Sequence, residues 1–327
     1  MVIIPFIIKV QLDLKIKIIY LLVDNFKVFW ILGVITFFIM RIKNYVDKIL
    51  SGDCKEIISK LPSNSVQLTI TSPPYRNAID YNAHVSKNGS YYRGKSNTDT
   101  QEYLNEMISL FNDKIFNSTK EGGYCCIVIA NEVVNGTLLA LPHMVLSQLV
   151  EPFGKWNLHE EIIWHKVTGG TNRYGSFVIN PYPKYYRANI MHEFILVLRK
   201  GNVNSGRTER KETLPATHEE WTKEIANSVW HIAPIPPGYI DHPCPFPEEI
   251  PYRLMKLYSY EGDLILDPFN GSGQTTKVAF NLQRHFIGVD IINDYVKLAR
   301  SRLSEPIHIR SEALIANWKK VRSHHNI

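Results

Sequence analysis

Two short loops hold the residue types whose spacing could do chemistry. The first is Ser72-Pro73-Pro74-Tyr75, directly after the β-branched run Val66–Thr71. Prolines carry no backbone donor and stiffen the chain, so such a turn leaves carbonyl groups free to accept hydrogen bonds. A tyrosine beside them offers a stacking face. The set suits a planar group bearing an exocyclic amine, with carbonyls orienting the N–H groups and the ring resting on Tyr75. Taken alone, a Pro-Pro turn after a strand is more often structural. The second loop is Asp267-Pro268-Phe269-Asn270-Gly271-Ser272-Gly273. Its glycines permit a tight turn and close approach of a ligand to the backbone. It is neither the dinucleotide GxGxxG nor a phosphate-binding P-loop, which would need Lys-Ser/Thr, so its ligand need not be a phosphate. Asp290 stands 19 residues beyond Gly271. That spacing suits a carboxylate gripping ribose hydroxyls from the end of a second strand. Taken alone, this loop reads equally well as a glycine-rich turn with an exposed acid.

The elements that must position these loops follow from periodicity and punctuation. Val66–Thr71 predicts a strand that stops at the prolines. Residues 76–100 are polar and read as a loop, and 101–116 carries Tyr103, Leu104, Met107, Ile108 and Phe111 at helical spacing. Strands are predicted at 124–130, 161–165, 194–198, 264–266 and 285–289, and helices at 138–150, 253–260, 275–282 and 295–303. Alternating strands and helices indicate an α/β fold with a largely parallel sheet. In such sheets ligands bind outside the carboxyl ends of the strands, where both loops are predicted to lie.

The whole chain has 327 residues, 45% hydrophobic and 21% charged, with a formal charge of +6. This excludes disordered and collagen-like classes. Four cysteines are too few for a disulfide scaffold, and their spacing suggests no zinc site; Cys125 and Cys126 inside an apolar run suit buried, reduced thiols. A mildly basic balance permits a polyanionic partner without demanding one. Of the first 39 residues, 28 are hydrophobic. The longest uninterrupted stretch there, Val28–Met40, would span roughly 20 Å as a helix, short of a bilayer core. Three readings stay open for it: a marginal membrane anchor, an addition packed on the domain, or a start upstream of a native initiator at Met40. Without it the remainder keeps +4, because residues 1–39 hold four Lys and two Asp.

TSPPY together with DPFNGSG resembles the DNA amino-methyltransferases that use S-adenosyl-L-methionine. SPPY upstream of the glycine loop resembles their circularly permuted β class. The resemblance runs from about Arg41 to Leu303. It implies a Rossmann-like methyltransferase sheet, mostly parallel, of about seven strands with an antiparallel hairpin and a small target-recognition insert. The implied division is a hydrophobic extension (1–39), a catalytic region with the SPPY loop and target-base pocket (40–200), a recognition insert (201–230, with 168–190 contributing) and a cofactor-binding region (231–327). Ser72 is similar to the N4-cytosine branch, where Asp in that place typifies N6-adenine enzymes.

On this resemblance Ser72, Pro73, Pro74 and Tyr75 are catalytic. Asp53 matches the acidic position at the cofactor's adenine. His242-Pro243-Cys244-Pro245-Phe246-Pro247 looks like the HPAPFP segment lining its methionine end, with Cys244 in place of the usual Ala; His242, Pro243, Phe246 and Pro247 are the implied contacts. Asp267, Phe269, Asn270, Gly271, Ser272, Gly273 and Asp290 complete the cofactor set, and no metal is implied. Trp164 and Lys166 fall on the paired strands around the target base. Arg173, Lys184, Arg187, Arg207, Arg210 and Lys211 are candidates for DNA contact, although most such charges simply solvate a surface. Gly175-Ser176-Phe177 sits where a GSW-like segment is common. The expected activity is methylation of cytosine N4, after the base is flipped out of double-stranded DNA. The expected setting is a prokaryotic cytoplasm, with a restriction endonuclease as possible partner and no obligate membrane partner. The open rivals are an N6-adenine methyltransferase, a non-catalytic nucleic-acid-binding protein and a membrane-tethered enzyme of small molecules.

Overall fold

The computed structural model describes residues 42–74, 99–134, 137–167, 188, 190–202, 225–236 and 238–309. Tyr75, Arg173, Gly175, Ser176, Phe177, Lys184, Arg187, Arg207, Arg210 and Lys211 lie outside the described residues, as do 1–39.

The main sheet is built from β1 (Lys48–Ser51), β2 (Val66–Thr71), β3 (Thr119–Ile129), β6 (Asn157–His165), β7 (His192–Arg199), β8 (Val229–His231), β9 (Leu264–Asp267) and β10 (His285–Asp290). Two short strands, β4 (Glu132–Val134) and β5 (Thr137–Leu139), form a separate hairpin. Strand order is β1-β10-β9-β2-β3-β7-β6-β8. Only β7 runs antiparallel to its neighbours β3 and β6; the other pairings are parallel. Eight described strands thus stand where about seven were expected. The short β1 and β8 escaped the sequence reading because each holds only a few residues with no clear alternation. Val229 and Trp230, expected at the end of the insert, belong to β8.

Helices cover the sheet: α1 (Cys54–Ser59), α2 (Thr100–Ser109), α3 (Leu141–Leu149), α4 (Glu249–Tyr258), α5 (Gln274–Asn281) and α6 (Asn293–Arg302). The chain continues from α2 through a π-helical stretch, Leu110–Ile115. Parallel strands covered on both faces read as continuous apolar runs, and β3 shows why. Cys125 and Ile127 enter one core cluster with Phe111 and Leu196, while Cys126 and Val128 enter the other with Trp230 and Ile265. The adjacent cysteines are thus buried on opposite faces as free thiols. Burial pushes both thiols up, out of the range of a nucleophile. No helix of the described residues is long and apolar enough to cross a membrane.

Candidate active site

β2 and β9 are adjacent and parallel, so their carboxyl ends deliver both loops to one place although they are nearly 200 residues apart in sequence. Thr71 and Asp267 are the last residues of these strands. The Thr71 hydroxyl donates to Asp267 Oδ1 at 2.7 Å, and the Thr275 hydroxyl on α5 donates to the Ile70 carbonyl at 3.4 Å. The turn before Ser72 is therefore bonded to the root of the glycine loop. Asp267 is 1% exposed, and burial raises its pKa to about 6, partly opposed by the hydrogen bonds from Thr71 and Phe269 N–H.

The glycine loop owes its shape to left-handed backbone at Gly271 (φ 47°) and Gly273 (φ 84°). A Cβ on Gly271 would lie 2.7 Å from His242 Nε2, and one on Gly273 would lie 2.7 Å from Ala299 Cβ. At the next strand end, Asp290 Oδ2 accepts from Gly271 N–H at 2.7 Å and Oδ1 from Ile292 N–H at 2.9 Å. Burial raises the Asp290 pKa, and the two amides oppose that shift.

Both loops open onto a cavity of about 390 Å³. Asp53, Ser72, Pro74, His242 and Phe246 line it. From the other side it is lined by Phe269, Asn270, Gly271, Ser272 and Asp290. Pro73, Pro247, Asp267 and Gly273 are buried behind this wall, and Pro243 is half-buried. Asp53 has a second duty, since its Oδ1 caps α1 by accepting from Lys55 N–H at 2.6 Å.

The wall retains polar atoms that are buried and have no hydrogen-bond partner among the described residues: Asn270 Nδ2, Ser272 Oγ and Tyr295 Oη. Buried polar groups are normally satisfied, so an unpaired set around one cavity marks a place for a polar ligand. Apolar Met107, Leu110, Ile291 and Ile292 flank it. A chamber with carboxylates at its rim, unpaired donors and apolar walls fits a nucleoside joined to an amino-acid chain. Tyr295 escaped the sequence reading; its ring packs 4.7 Å from that of His242, but it lies on an ordinary amphipathic helix with no motif around it. Burial and the carboxylates of Asp290 and Asp241 push its phenol up, so it stays a donor.

The comparisons with known proteins agree with this geometry. The model of the DNA methylase family, which covers N6 and N4 enzymes, matches residues 66–301. The chain belongs to this DNA methylase family. It is 28% identical over 272 residues to the Type II methyltransferase M.MjaI of Methanocaldococcus jannaschii, covering 75% of this chain and 86% of that one. It is 25% identical over 278 residues to the Type II beta methyltransferase M.BslI of Bacillus sp. (strain NEB-606), covering 78% of this chain but only 27% of that longer protein. Among solved structures, TTHA0409 of Thermus thermophilus complexed with S-adenosyl-L-methionine superposes with a TM-score of 0.61 at 25% identity, covering 79% of this chain and 93% of that one. The PvuII DNA methyltransferase (cytosine-N4-specific) gives 0.59 at 17% identity, covering 84% and 91%, and shares the fold. This DNA methylase is thus a Rossmann-like S-adenosyl-L-methionine-dependent enzyme whose substrate is DNA.

Two residues expected at the target base, Trp164 and Lys166, are buried and bonded within the protein. Trp164 is 2% exposed, and its Nε1–H donates to the Ile232 carbonyl at 2.8 Å, which ties β6 to the chain after β8. Lys166 is 4% exposed, ion-paired to Glu193 at 2.5 Å and 4.5 Å above the Trp164 ring. The Lys166 ammonium could reach a phosphate only by breaking its pair with Glu193.

Proposed function

We propose that this DNA methylase transfers a methyl group to the exocyclic N4 of cytosine in duplex DNA, as the modification half of a restriction-modification system. The observation carrying the cytosine reading is Ser72: the half-buried residue lining the cavity directly after β2 is a neutral hydroxyl rather than a carboxylate. The names of M.MjaI and M.BslI support the restriction setting, in which a cognate endonuclease is the natural partner.

The amine lies inside the base stack, so the target must be flipped, at a cost of a few kcal/mol. In the proposed complex the base stacks on Tyr75, and Ser72 with the Pro73 carbonyl accepts the N4 hydrogens. Delocalisation into the ring makes this nitrogen a poor nucleophile. Holding its protons in acceptors outside the ring plane draws it toward a pyramidal geometry and frees its lone pair. S-adenosyl-L-methionine, when bound, supplies an electrophilic methyl on a sulfonium. Asp53, Asp290 and the glycine loop would hold its nucleoside end, with His242 and Phe246 toward its amino-acid end. The Thr71–Asp267 bond would keep the amine acceptors at a fixed distance from that end of the cavity. Alignment to about 3–3.5 Å accounts for much of the acceleration expected of such a site.

The chain between β6 and β7 leaves and returns at the carboxyl edge of the sheet, whereas the chain after β7 leaves from the opposite edge, where Arg199 pairs with Tyr124 and Asn157. This supports 168–190 as a main recognition segment, with Arg173, Lys184 and Arg187, ahead of 201–230 with Arg207, Arg210 and Lys211.

The test is to express the protein in a host free of such marks, digest the DNA to nucleosides and identify the methylated base by mass. N4-methylcytosine from the native protein, and none from Ser72→Ala or Tyr75→Ala proteins that still bind cofactor, is the expected result. N6-methyladenine would move the reading to the other branch of the family, and near-normal activity of both variants would overturn the mechanism.

A further inference from the structure

Three strands meet the carboxyl edge of the sheet in histidine. In the ladder, His165 of β6 stands opposite His192 of β7 on one side and His231 of β8 on the other. The Nδ1 atoms of His165 and His231 lie 2.9 Å apart, with the rings nearly perpendicular at 86°. His231 is exposed and His165 half-buried.

A bond of that length requires a proton between the two nitrogens. One ring donates from Nδ1 and has a bare Nε2; the other accepts at Nδ1 and carries its proton on Nε2. The neutral pair therefore offers one donor and one acceptor. One additional proton has a single basic nitrogen to enter, the bare Nε2. It leaves the bond between the rings intact, makes it charge-assisted, and converts the pair into two N–H donors sharing one positive charge. That is the complement of two non-bridging phosphate oxygens.

The position of the pair fits such a ligand. Thr71, Ile127, Leu196 and Glu161 form one row across the sheet, so His165 stands three residues beyond the level of Ser72. With three strand spacings between β2 and β6, the pair lies about 17 Å from Ser72, outward and to one side. Its surroundings are nearly balanced in charge. Glu161 on the same face of β6 is 3.9 Å from His143 of α3, and both His143 and His192 pack against Phe194 at 5.1 Å. Lys166 and Glu193 neutralise each other just beyond. Burial, and then His231 and His192, lower the pKa of His165. Among the described residues no group of His, Cys, Asp and Glu is placed to hold a metal ion.

We propose that His165 and His231 form a proton-gated clamp for a backbone phosphate of the DNA substrate. The inference rests on the reading of the carboxyl edge as the face that meets duplex DNA. Binding takes up a proton, so affinity rises as pH falls.

Anisotropy titrations of a fluorescent duplex, at constant salt from about pH 8 to about pH 6, test this. One coupled proton steepens affinity by at most about tenfold per pH unit. The native protein should gain several-fold more affinity over that range than His165→Gln, His231→Gln or the double variant. At the acid end its salt dependence should be steeper by about one phosphate contact. His143→Gln, on the same face but outside the pair, should behave as native. Thermal melts and cofactor binding verify that each variant is folded. Competition with free inorganic phosphate separates a clamp for duplex DNA from a site for the free ion: displacement of the duplex at equimolar phosphate would overturn the DNA assignment. Equal pH slopes in the native and double-variant proteins would overturn the clamp while leaving methylation intact. Absence of both DNA binding and methylation at every pH would instead refute the functional reading beneath it.

Discussion

Glu248 makes the glycine loop dependent on a single buried carboxylate. It is 3% exposed, and its Oε1 accepts from Lys277 Nζ at 2.8 Å and Arg302 Nη2 at 3.0 Å, while Oε2 accepts from His308 N–H at 2.9 Å. Arg302 also donates to the Ser272 carbonyl and to Gln274 Oε1, each at 2.6 Å, and Gln274 Nε2 donates to the Phe246 carbonyl at 3.0 Å. One network therefore clamps the glycine loop to the His242–Pro247 segment across the cavity. Glu248→Gln keeps the volume and removes the charge. Lys277, fully buried, would be left with only Glu305, which is 46% exposed. Removing one partner of a buried pair costs about 3–5 kcal/mol, because the remaining ion stays desolvated. Glu305 compensates in part, so about 3 kcal/mol is expected, a large share of the roughly 5–15 kcal/mol of a typical domain. At about 2–4 °C per kcal/mol the melting temperature should fall by about 6–12 °C. Cofactor affinity should fall as well, because Arg302, the donor to the Ser272 carbonyl, loses one of the carboxylates that hold it in place. Calorimetric melts and cofactor titration read the two effects. The double variant Glu248→Gln with Lys277→Met, which removes both ions, should melt above the single variant. A shift under about 2 °C for Glu248→Gln, or a double variant less stable than the single, would refute this account of the clamp.

Further outcomes follow from the same site. Asp267 has its pKa raised from 3.8 to about 6 by burial, so the folded state binds more protons than the unfolded state between those values. Stability should fall as pH rises from about 4 to 6, by about 3 kcal/mol as an upper order of magnitude. Asp267→Asn still accepts from Thr71, so it should flatten that part of the stability-pH curve and melt no lower than the native protein at pH 8; an unchanged curve would show that Asp267 is not the titrating group. Gly273→Ala places a Cβ 2.7 Å from Ala299 Cβ at φ 84°. It should cost about 1–3 kcal/mol in urea unfolding and weaken cofactor binding, whereas Gly262→Ala, also at positive φ but with nothing within 4 Å, should lose stability without losing cofactor affinity.

How much of this was legible beforehand depended on whether the signal was local. β2 and β9 and the loops after them could be read directly, because short apolar runs end there at prolines and glycines whose backbone demands are strong. The Asp290 position was likewise legible, since the spacing reflects one strand-helix-strand unit. Tyr295, Met107 and Leu110 were not, because what brings them to the cavity is the packing of α2, the π-helical stretch that continues it and α6, which no motif records. The burial of Trp164 and Lys166 was not legible either, because the resemblance that singled them out places their strand and not their partners. Their alternation sends Trp164 into the core, and Lys166 is captured by Glu193, a partner 27 residues away that is invisible to local reading.

The order of the two loops along the chain is, by contrast, chemically idle. β2 touches both β3 and β9, so the sheet places Ser72 beside the root of the glycine loop whichever is made first. What the proposed chemistry requires is that two parallel strands end side by side and are bonded there. The Thr71–Asp267 bond supplies that link with one hydroxyl and one carboxylate, both fully buried. Burying a carboxylate is costly unless it is well bonded, and Asp267 Oδ2 has no partner among the described residues. A fold selected for stability alone would replace such an acid. Its presence at the junction of the two loops fits a need to keep them at a fixed spacing, as the proposed methyl transfer requires.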